Sequence, residues 1–407
     1  MISPDEALLY SPAMTASSRV GFDALFFEQP MTGAGQYATH LWRALNDGEM
    51  GIEPVLLAPS DTVVESASTP SDRVTHGRMP GSRLPAKARK LYWEQAGLPA
   101  ATRRSGVRLV HVPYLSAPLL QRVPHVVTVH DVIPLAIPEY GGSRQMRGYL
   151  RLVGRAVRRA ALILTDSEYS RSDIVARLGI DPDRIRVTLL AAHEGMTPAR
   201  TRDDEAEVDE TLARLGISRP FVLNVGGYDV RKQLPALVHG FSLALPSLPD
   251  GCSLVIAGRP HTDNTLLYPS LDGPIDTLGL RRQVVRTGFI SESDKINLYR
   301  SCAVFAFTSA YEGFGLNPLE AMSCGAPVVC SNRTSLPEVV GNAGLLIDPE
   351  PEVIGRALVA VCGDPALRAD LAARSLRQAA RFSWQRTAEQ TANAYREVLD
   401  GGNRCAF

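Results

Sequence analysis

Residues 305–349 read FAFTSAYEGFGLNPLEAMSCGAPVVCSNRTSLPEVVGNAGLLIDP, and this stretch decides the fold of the chain. Two carboxylates, Glu312 and Glu320, stand in it with seven residues between them. Glu312 belongs to a glycine loop that continues through Gly313, Phe314, Gly315 and Leu316, and Glu320 opens an apolar, helix-like run. An apolar strand, residues 326–329, follows Gly325. Strand, glycine turn, helix and strand together make a βαβ unit. In such a unit the helix N-terminus offers unpaired backbone N–H groups and a positive dipole end to an anion. Gly313 and Gly315 allow the backbone to come close to it. Pro318 suits the first helical turn, where no N–H is needed.

The 407 residues suit two domains of ordinary size. With 45% hydrophobic and 21% charged residues, the composition is that of a soluble globular protein. The 43 basic and 43 acidic residues cancel, which argues against nucleic acid as a partner. No apolar run reaches the length of a bilayer. Residues 1–18 lack the basic start and long apolar core of a secretory signal and read as a loosely packed leader. The six cysteines all fall at or after Cys252 with no C-x-x-C pair, so reduced thiols are expected rather than disulfides or a zinc site.

The first half alternates strands and helices. Strands are expected at 19–23, 52–58, 109–112, 125–132, 162–167 and 185–190. Gly33 and Gly35 form a glycine loop before a helix at 38–45, a second candidate anion site. Residues 59–85 read as a loop or irregular hairpin, and 87–104 as a helix with Trp93 and Leu98 on its apolar side. His130 and Asp131 stand near the carboxyl end of the 125–132 strand, where ligand groups gather in parallel sheets. Arg144, Arg147, Arg151, Arg155 and Arg158 fall on one face of a helix. That stripe reads either as a solvated face or as a contact with anionic lipid. Ser170 is placed to cap a helix at 171–178. Asp181 and Asp183 flank a proline and read as a turn, not a metal site.

The charged segment 198–207 marks the domain junction, with a short helix at 208–215. The second half opens with a strand at 221–225 and the turn Gly226-Gly227. Arg231 and Lys232 follow, two cations suited to a diphosphate: arginine forks onto its oxygens and lysine acts as a point charge. Further strands are expected at 253–257, 284–288 and 304–307, with a polar loop at 261–276. Ser291 reads as a helix N-cap ahead of Glu292 and Asp294. Helices at 352–362 and 365–381 follow, then a final amphipathic helix at 384–399 capped by Ser383.

The pattern resembles retaining glycosyltransferases of family 4, which have the GT-B fold. The motifs that carry it are the Glu312/Glu320 pair, the EGFGL loop and the segment from Ser335 to Glu338. The resemblance covers residues 19–399 and is densest in the second half. It implies an α/β GT-B architecture, two doubly wound Rossmann-like domains facing a cleft. The implied division is a leader at 1–18, an acceptor-side domain at 19–200, a nucleotide-sugar-binding domain at 201–383, and a C-terminal helix at 384–400 that crosses back to the first domain. It also places Gly33 and Gly35 at the floor of the cleft, and His130 at the donor sugar and acceptor. Phe289 and Ile290 become base-pocket residues, and the 335–338 segment a lining of the donor pocket. Ser167 and Glu168 face the cleft in the family, with a structural role as the other reading. The sequence departs from the family at Gly227, where many members have arginine, so Arg231 stands in for that cation. Thr308 and Asn317 occupy positions that are usually proline.

The implied reaction moves a hexose from a nucleoside diphosphate sugar to the hydroxyl of a glycan or lipid-linked acceptor, with retention. GDP-mannose is the first candidate donor. Arg231, Lys232 and the N–H groups of Gly315 and Leu316 would stabilise the leaving diphosphate, Glu320 would hold the ribose, and Glu312 would orient the sugar. No cofactor and no metal are expected, and the implied location is cytoplasmic, with the inner face of the membrane as an extension of the arginine stripe. The alternatives are another GT-B reaction, an epimerase or phosphorylase, and a nucleotide-sugar-binding subunit without catalysis.

Overall fold

The computed structural model of the chain describes residues 18–29, 32–48, 50–62, 70–79, 85–260 and 264–401. The expected leader, Ser18 apart, lies outside the described residues, as does everything past Gly401. Two parallel sheets organise the chain. The first has seven strands in the order β3-β2-β1-β4-β5-β6-β7, and the second six in the order β10-β9-β8-β11-β12-β13.

In the first sheet β1 (Ser18–Asp23) leads to α1 (Gly33–Asp47), β2 (Ile52–Pro59) and β3 (Val74–Gly77). β3 corrects the expected loop or hairpin at 59–85: it pairs parallel to β2 at the sheet edge. Its weakly apolar sequence, half polar, gave no strand signal because the partner strand supplies the pairing. α2 (Ala86–Tyr92) and α3 (Leu98–Ser105) are joined by a π turn, Trp93–Gly97. Fully buried Trp93 donates its ring N–H to Asp23 Oδ1 at 2.8 Å, which anchors this run to the end of β1. β4 (Leu109–Val112) and β5 (His125–Thr128) come next, and β5 ends four residues earlier than expected.

α4 (Ile133–Ala136), α5 (Pro138–Gly141) and α6 (Arg144–Val157) then precede β6 (Leu162–Thr165), α7 (Glu168–Leu178) and β7 (Ile185–Val187). Ser167, not Ser170, caps α7, its side chain accepting from Ser170 N at 3.0 Å. All five arginines of the expected stripe are exposed. Asp181 Oδ1 accepts from Asp183 N at 2.9 Å, the turn that the sequence suggests.

The second sheet begins after α8 (Arg202–Leu215), which starts inside the expected junction behind a Thr201/Asp204 capping box. β8 (Phe221–Val225), α9 (Leu234–Ala244), β9 (Ser253–Ala257), α10 (Asp272–Thr277), β10 (Val284–Gly288), α11 (Glu292–Ser301) and β11 (Val304–Phe307) follow. α10 lies in the segment expected to be loop. Next are α12 (Leu316–Ser323), β12 (Val328–Ser331), α13 (Leu336–Val340), β13 (Leu345–Ile347), α14 (Pro351–Gly363), α15 (Pro365–Ala379) and α16 (Trp384–Gly401). The core of this half packs Leu237, Val238 and Phe241 of α9 and Ile354, Leu358 and Val361 of α14 on Val222, Leu254, Ile256 and Val304. Each such side chain, fully buried, contributes about 1.5–3 kcal/mol.

By packing, the chain forms two compact units. One holds the described residues up to Thr128, with Leu152–Ile163 and the chain from Ala388; the other holds Val129–Arg151 and Leu164–Thr387. The two sheets part between Val187 and Phe221, around the expected division at 200/201, while the compact units are cut within the first sheet. In the first unit Tyr395 of α16 is fully buried, its hydroxyl 2.6 Å from His111 Nδ1. His111 Nε2 lies 2.8 Å from Thr128 Oγ1, which lies 2.9 Å from the Tyr37 hydroxyl. This satisfied polar chain fastens α16 to β4, β5 and α1.

Gly33 and Gly35 stand in the first turn of α1 rather than in a loop before it, since Thr32 caps the helix by accepting from Gly35 N at 3.1 Å. A Cβ on Gly35 would sit 2.0 Å from Gln29 O, whereas one on Gly33 meets nothing within 4 Å. Gly35→Ala therefore lowers stability by about 1–3 kcal/mol through overpacking, while Gly33→Ala is close to neutral. Thermal melts of the two variants side by side check this, and equal melting temperatures contradict it.

Candidate active site

In the second sheet β8 lies between β9 and β11, so the strand order reverses beside it. Ligands bind at the carboxyl ends of strands where that happens. The loop after β8 carries Gly226, Gly227, Arg231 and Lys232, and the loop after β11 carries Glu312 to Gly315. Hydrogen bonds join the two: Ala310 N donates to Arg231 O at 2.7 Å, and the Thr308 hydroxyl to Lys232 O at 3.0 Å. Asn317 Nδ2 reaches Val225 O at 3.3 Å. Thr308 and Asn317, the two departures from proline, thus both bind the β8 side of the site.

Glu312 Oε1 lies 2.5 Å from Arg231 Nη1 and 2.6 Å from Lys232 Nζ. All three side chains are nearly buried, Lys232 being 8% exposed. Arg231 Nε lies 2.9 Å from Asp229 Oδ1, a charge contact without hydrogen-bond alignment. Lys232 Nζ also sits 4.7 Å from the centre of the Phe307 ring. Burial alone would raise the Glu312 pKa, but the Arg231 and Lys232 charges outweigh it and hold the carboxyl at about 2. Burial, then Arg231, pushes the Lys232 pKa down. A Cβ at Gly227 would lie 2.9 Å from Asp229 Oδ2, so a side chain there requires the Arg231 partner to move.

The Glu312–Gly315 loop is held through its carbonyls. Ser335 Oγ donates to Glu312 O at 2.9 Å and Phe314 O at 2.7 Å. Gly313 O accepts from Ser167 Oγ at 2.7 Å and Ser170 Oγ at 2.9 Å. A Cβ on Gly313 would stand 2.2 Å from His130 O, so glycine is what lets the loop meet His130. His130 Nδ1 is 2.7 Å from Asp166 Oδ2, a contact that sets the tautomer and orientation of the ring. Among the described residues the non-glycine residues at positive φ are Gln233 (+55°) and Thr334 (+56°). Both border the site, and Thr334 Oγ1 accepts from Glu312 N at 3.0 Å. Backbone strain of this kind costs about 1–3 kcal/mol per residue and gathers at functional sites.

Other candidates fall elsewhere. α12 starts at Leu316, so Glu320 sits in its second turn and does not open the helix. Its carboxylate, 4% exposed, pairs with Lys295 Nζ at 2.9 Å and accepts from the Tyr299 hydroxyl at 3.2 Å. Burial, against the Lys295 charge, raises its pKa, so the two glutamates are driven apart. Phe314 is a core residue, packed edge-on against Phe382 at 6.0 Å between centroids. Glu338 accepts from the backbone N–H groups of Glu168 and Tyr169, each at 2.8 Å, and so caps α7. Phe289 is 65% exposed beyond the edge strand β10, with Ile290 half-buried beside it. Gly33 and Gly35 belong to the other compact unit.

The chain matches the family description "Glycosyl transferases group 1" over residues 209–378 and "Glycosyltransferase Family 4" over residues 31–188. It is 34% identical to the O-antigen chain mannosyltransferase B of Escherichia coli over 274 residues, 67% of this chain and 70% of that protein. The chain belongs to glycosyltransferase family 4. It is also 32% identical to the serotype-specific mannosyltransferase WbdA of Escherichia coli over 278 residues, 67% of this chain but 33% of that protein. The sucrose-phosphate synthase of Thermosynechococcus elongatus superposes with a TM-score of 0.72 at 19% identity, over 94% of this chain and 100% of that one. Anabaena Alr3699/HepE in complex with UDP and glucose gives 0.70 at 19% identity, over 93% and 99%. These likenesses establish the GT-B fold.

In this glycosyltransferase, sequence reasoning missed Asp166 and Lys295. Asp166 had a signal, since it directly follows a buried strand as His130 nearly does. Lys295 had none, because its partner Glu320 lies 25 residues away on another helix. Among the described residues no group of three or more His, Cys, Asp or Glu side chains is placed to hold a metal ion.

The Glu312 ion pairs carry a pH signature. The folded pKa, about 2, lies below the ordinary 4.5, so their contribution is complete above about 4.5 and drains away as the pH falls toward 2. Glu312→Gln flattens the acid limb of stability in that window. Urea unfolding of this glycosyltransferase and its variant at steps from neutral pH downward measures it, and identical acid limbs contradict the assignment.

Proposed function

We propose that this glycosyltransferase moves a hexose from a nucleoside diphosphate sugar to a hydroxyl of a glycan or lipid-linked acceptor, with retention and without a metal ion. The observation that carries the reading is the buried Arg231–Lys232 pair on Glu312, at the carboxyl ends of β8 and β11. A diphosphate entering there competes with Glu312 for the same nitrogens. As the bond from the anomeric carbon to the phosphate oxygen breaks, negative charge grows on that oxygen. Arg231 and Lys232, with the first N–H groups of α12, meet it in a water-poor site. The acceptor oxygen bonds to the same face of the sugar, and its proton passes to the departing phosphate, so no separate base is needed. Glu312 orients the sugar, with His130, held by Asp166, beside the loop. Glu320, held by Lys295 and Tyr299, serves the ribose.

Mannose from GDP-mannose is the first candidate because both Escherichia coli relatives are named mannosyltransferases. An epimerase, a phosphorylase or a non-catalytic binding subunit is the competing reading. A panel of nucleotide sugars, with and without glycan acceptors, separates them through released nucleoside diphosphate and glycosylated product. Binding without turnover supports the subunit. Lys232→Ala and Glu312→Ala each lower turnover by about tenfold or more, the loss of a charged hydrogen bond in the transition state. Turnover at the unsubstituted rate in both removes the site. Activity persists with a chelator present, and its loss on chelation refutes metal independence.

The arginines of α6 further suggest contact with anionic lipid on the inner face of the membrane, at about 1 kcal/mol per residue. No helix among the described residues is long and apolar enough to cross a membrane. Arg147→Glu/Arg151→Glu should abolish sedimentation with phosphatidylglycerol vesicles, and undiminished sedimentation overturns the contact.

A further inference from the structure

Between α15 and the turn after α13 lies a cavity of about 240 Å³ lined by Asn342, Arg374, Arg377, Gln378 and Arg381. Arg374 and Arg377, three residues apart, share a face of the last turns of α15, and Arg381 follows two residues past its end. Among the described residues one carboxylate pairs with them: Asp370 meets Arg374 at 2.5 Å. Arg381 donates to the uncharged Gln378 at 3.0 Å. A helix dipole favours cations at the carboxyl end, and three like charges gather there.

The three arginines are exposed at the rim, and the floor beneath them is fixed by packing. Gln378 is nearly buried and donates to Val339 O at 2.9 Å, which ties α15 to α13. Gly341 takes φ +55°, and a Cβ there would lie 3.4 Å from Gln378 Nε2. Asn342 O lies 3.5 Å from Arg374 Nη1. At its other end α13 follows Ser335, whose hydroxyl holds the carbonyls of Glu312 and Phe314. One short helix therefore joins this cavity to the loop of the candidate active site.

We propose that the cavity binds a phosphate group, carried on a soluble ester or a lipid headgroup, through the forks of Arg377 and Arg381 with Arg374 at its edge. The guanidinium fork matches phosphate oxygens two at a time, and the volume admits one such group. Binding there clamps α13 against α15. The site is independent of the donor reading, because Arg231 and Lys232 take no part in it.

Hydrogen exchange with inorganic phosphate as the probe reads the site locally. Phosphate should slow amide exchange in residues 336–342 and 374–381 of the full chain. Arg377→Ala/Arg381→Ala should raise the phosphate concentration needed for that protection about tenfold or more, or 1.4 kcal/mol. An unchanged melting temperature without phosphate verifies that the variant folds. Arg377→Lys/Arg381→Lys, which keeps charge without the fork, should give partial protection. Equal protection in the unsubstituted protein and the alanine variant overturns the proposal, as does its absence from both. Two further arms identify the source. Sedimentation with phosphatidylglycerol vesicles that falls in the alanine variant assigns the phosphate to a headgroup; protection by a hexose phosphate with unchanged sedimentation assigns it to a soluble ester. Donor turnover is scored separately, so failure of either reading leaves the other open to its own test.

Discussion

Two cations taken out of water at adjacent positions cannot stand without an anion between them. Desolvating a single charge costs several kcal/mol, and removing one partner of a buried pair costs about 3–5 kcal/mol. Arg231 and Lys232 meet that condition through one oxygen of Glu312. Asp229 adds a second carboxylate to Arg231, and Tyr140 donates its hydroxyl to Asp229. The loops after β8 and β11 must then stay side by side, and the reversal of strand order around β8 is what puts them there.

Holding an acidic loop against two cations leaves its backbone to be satisfied separately. Serine hydroxyls do this for Glu312, Gly313 and Phe314, using residues 335, 167 and 170 from distant parts of the sequence. Glu338 works in the same layer by capping α7. The segment that resembles a donor-pocket lining is therefore also a structural clamp. The strained backbone of Gln233 and Thr334 lies beside it, where the surrounding bonds are dense enough to impose it.

Much of the fold was legible because buried parallel strands are short apolar runs and their turns are rich in glycine. Eleven of the thirteen strands among the described residues lie in or near expected segments, and β13, a three-residue half-buried strand, falls where none was expected. β3 was not legible, since an edge strand borrows its order from β2. Helix starts were often missed by a few residues, as at α1 and α12, because capping depends on which side chain reaches the backbone. Within the site, Glu312, Arg231 and Lys232 were all visible as residue types at strand ends. Their shared oxygen was not, since residues 231 and 312 meet only through the sheet.

The class of the protein is encoded locally along the chain. Its alternation of apolar runs and glycine turns dictates parallel α/β sheets, and the spacing of charged residues at the turns marks family 4. The partners of the charged groups come from the folding of distant segments together. Folding set Glu312 with two cations and Glu320 with Lys295, and it moved Phe314 into the core and Glu338 onto α7. It also gathered three arginines around a cavity next to the same short helix. Pairing across sequence depends on strand order and helix packing, and those emerge only when the whole chain buries its apolar surface at once.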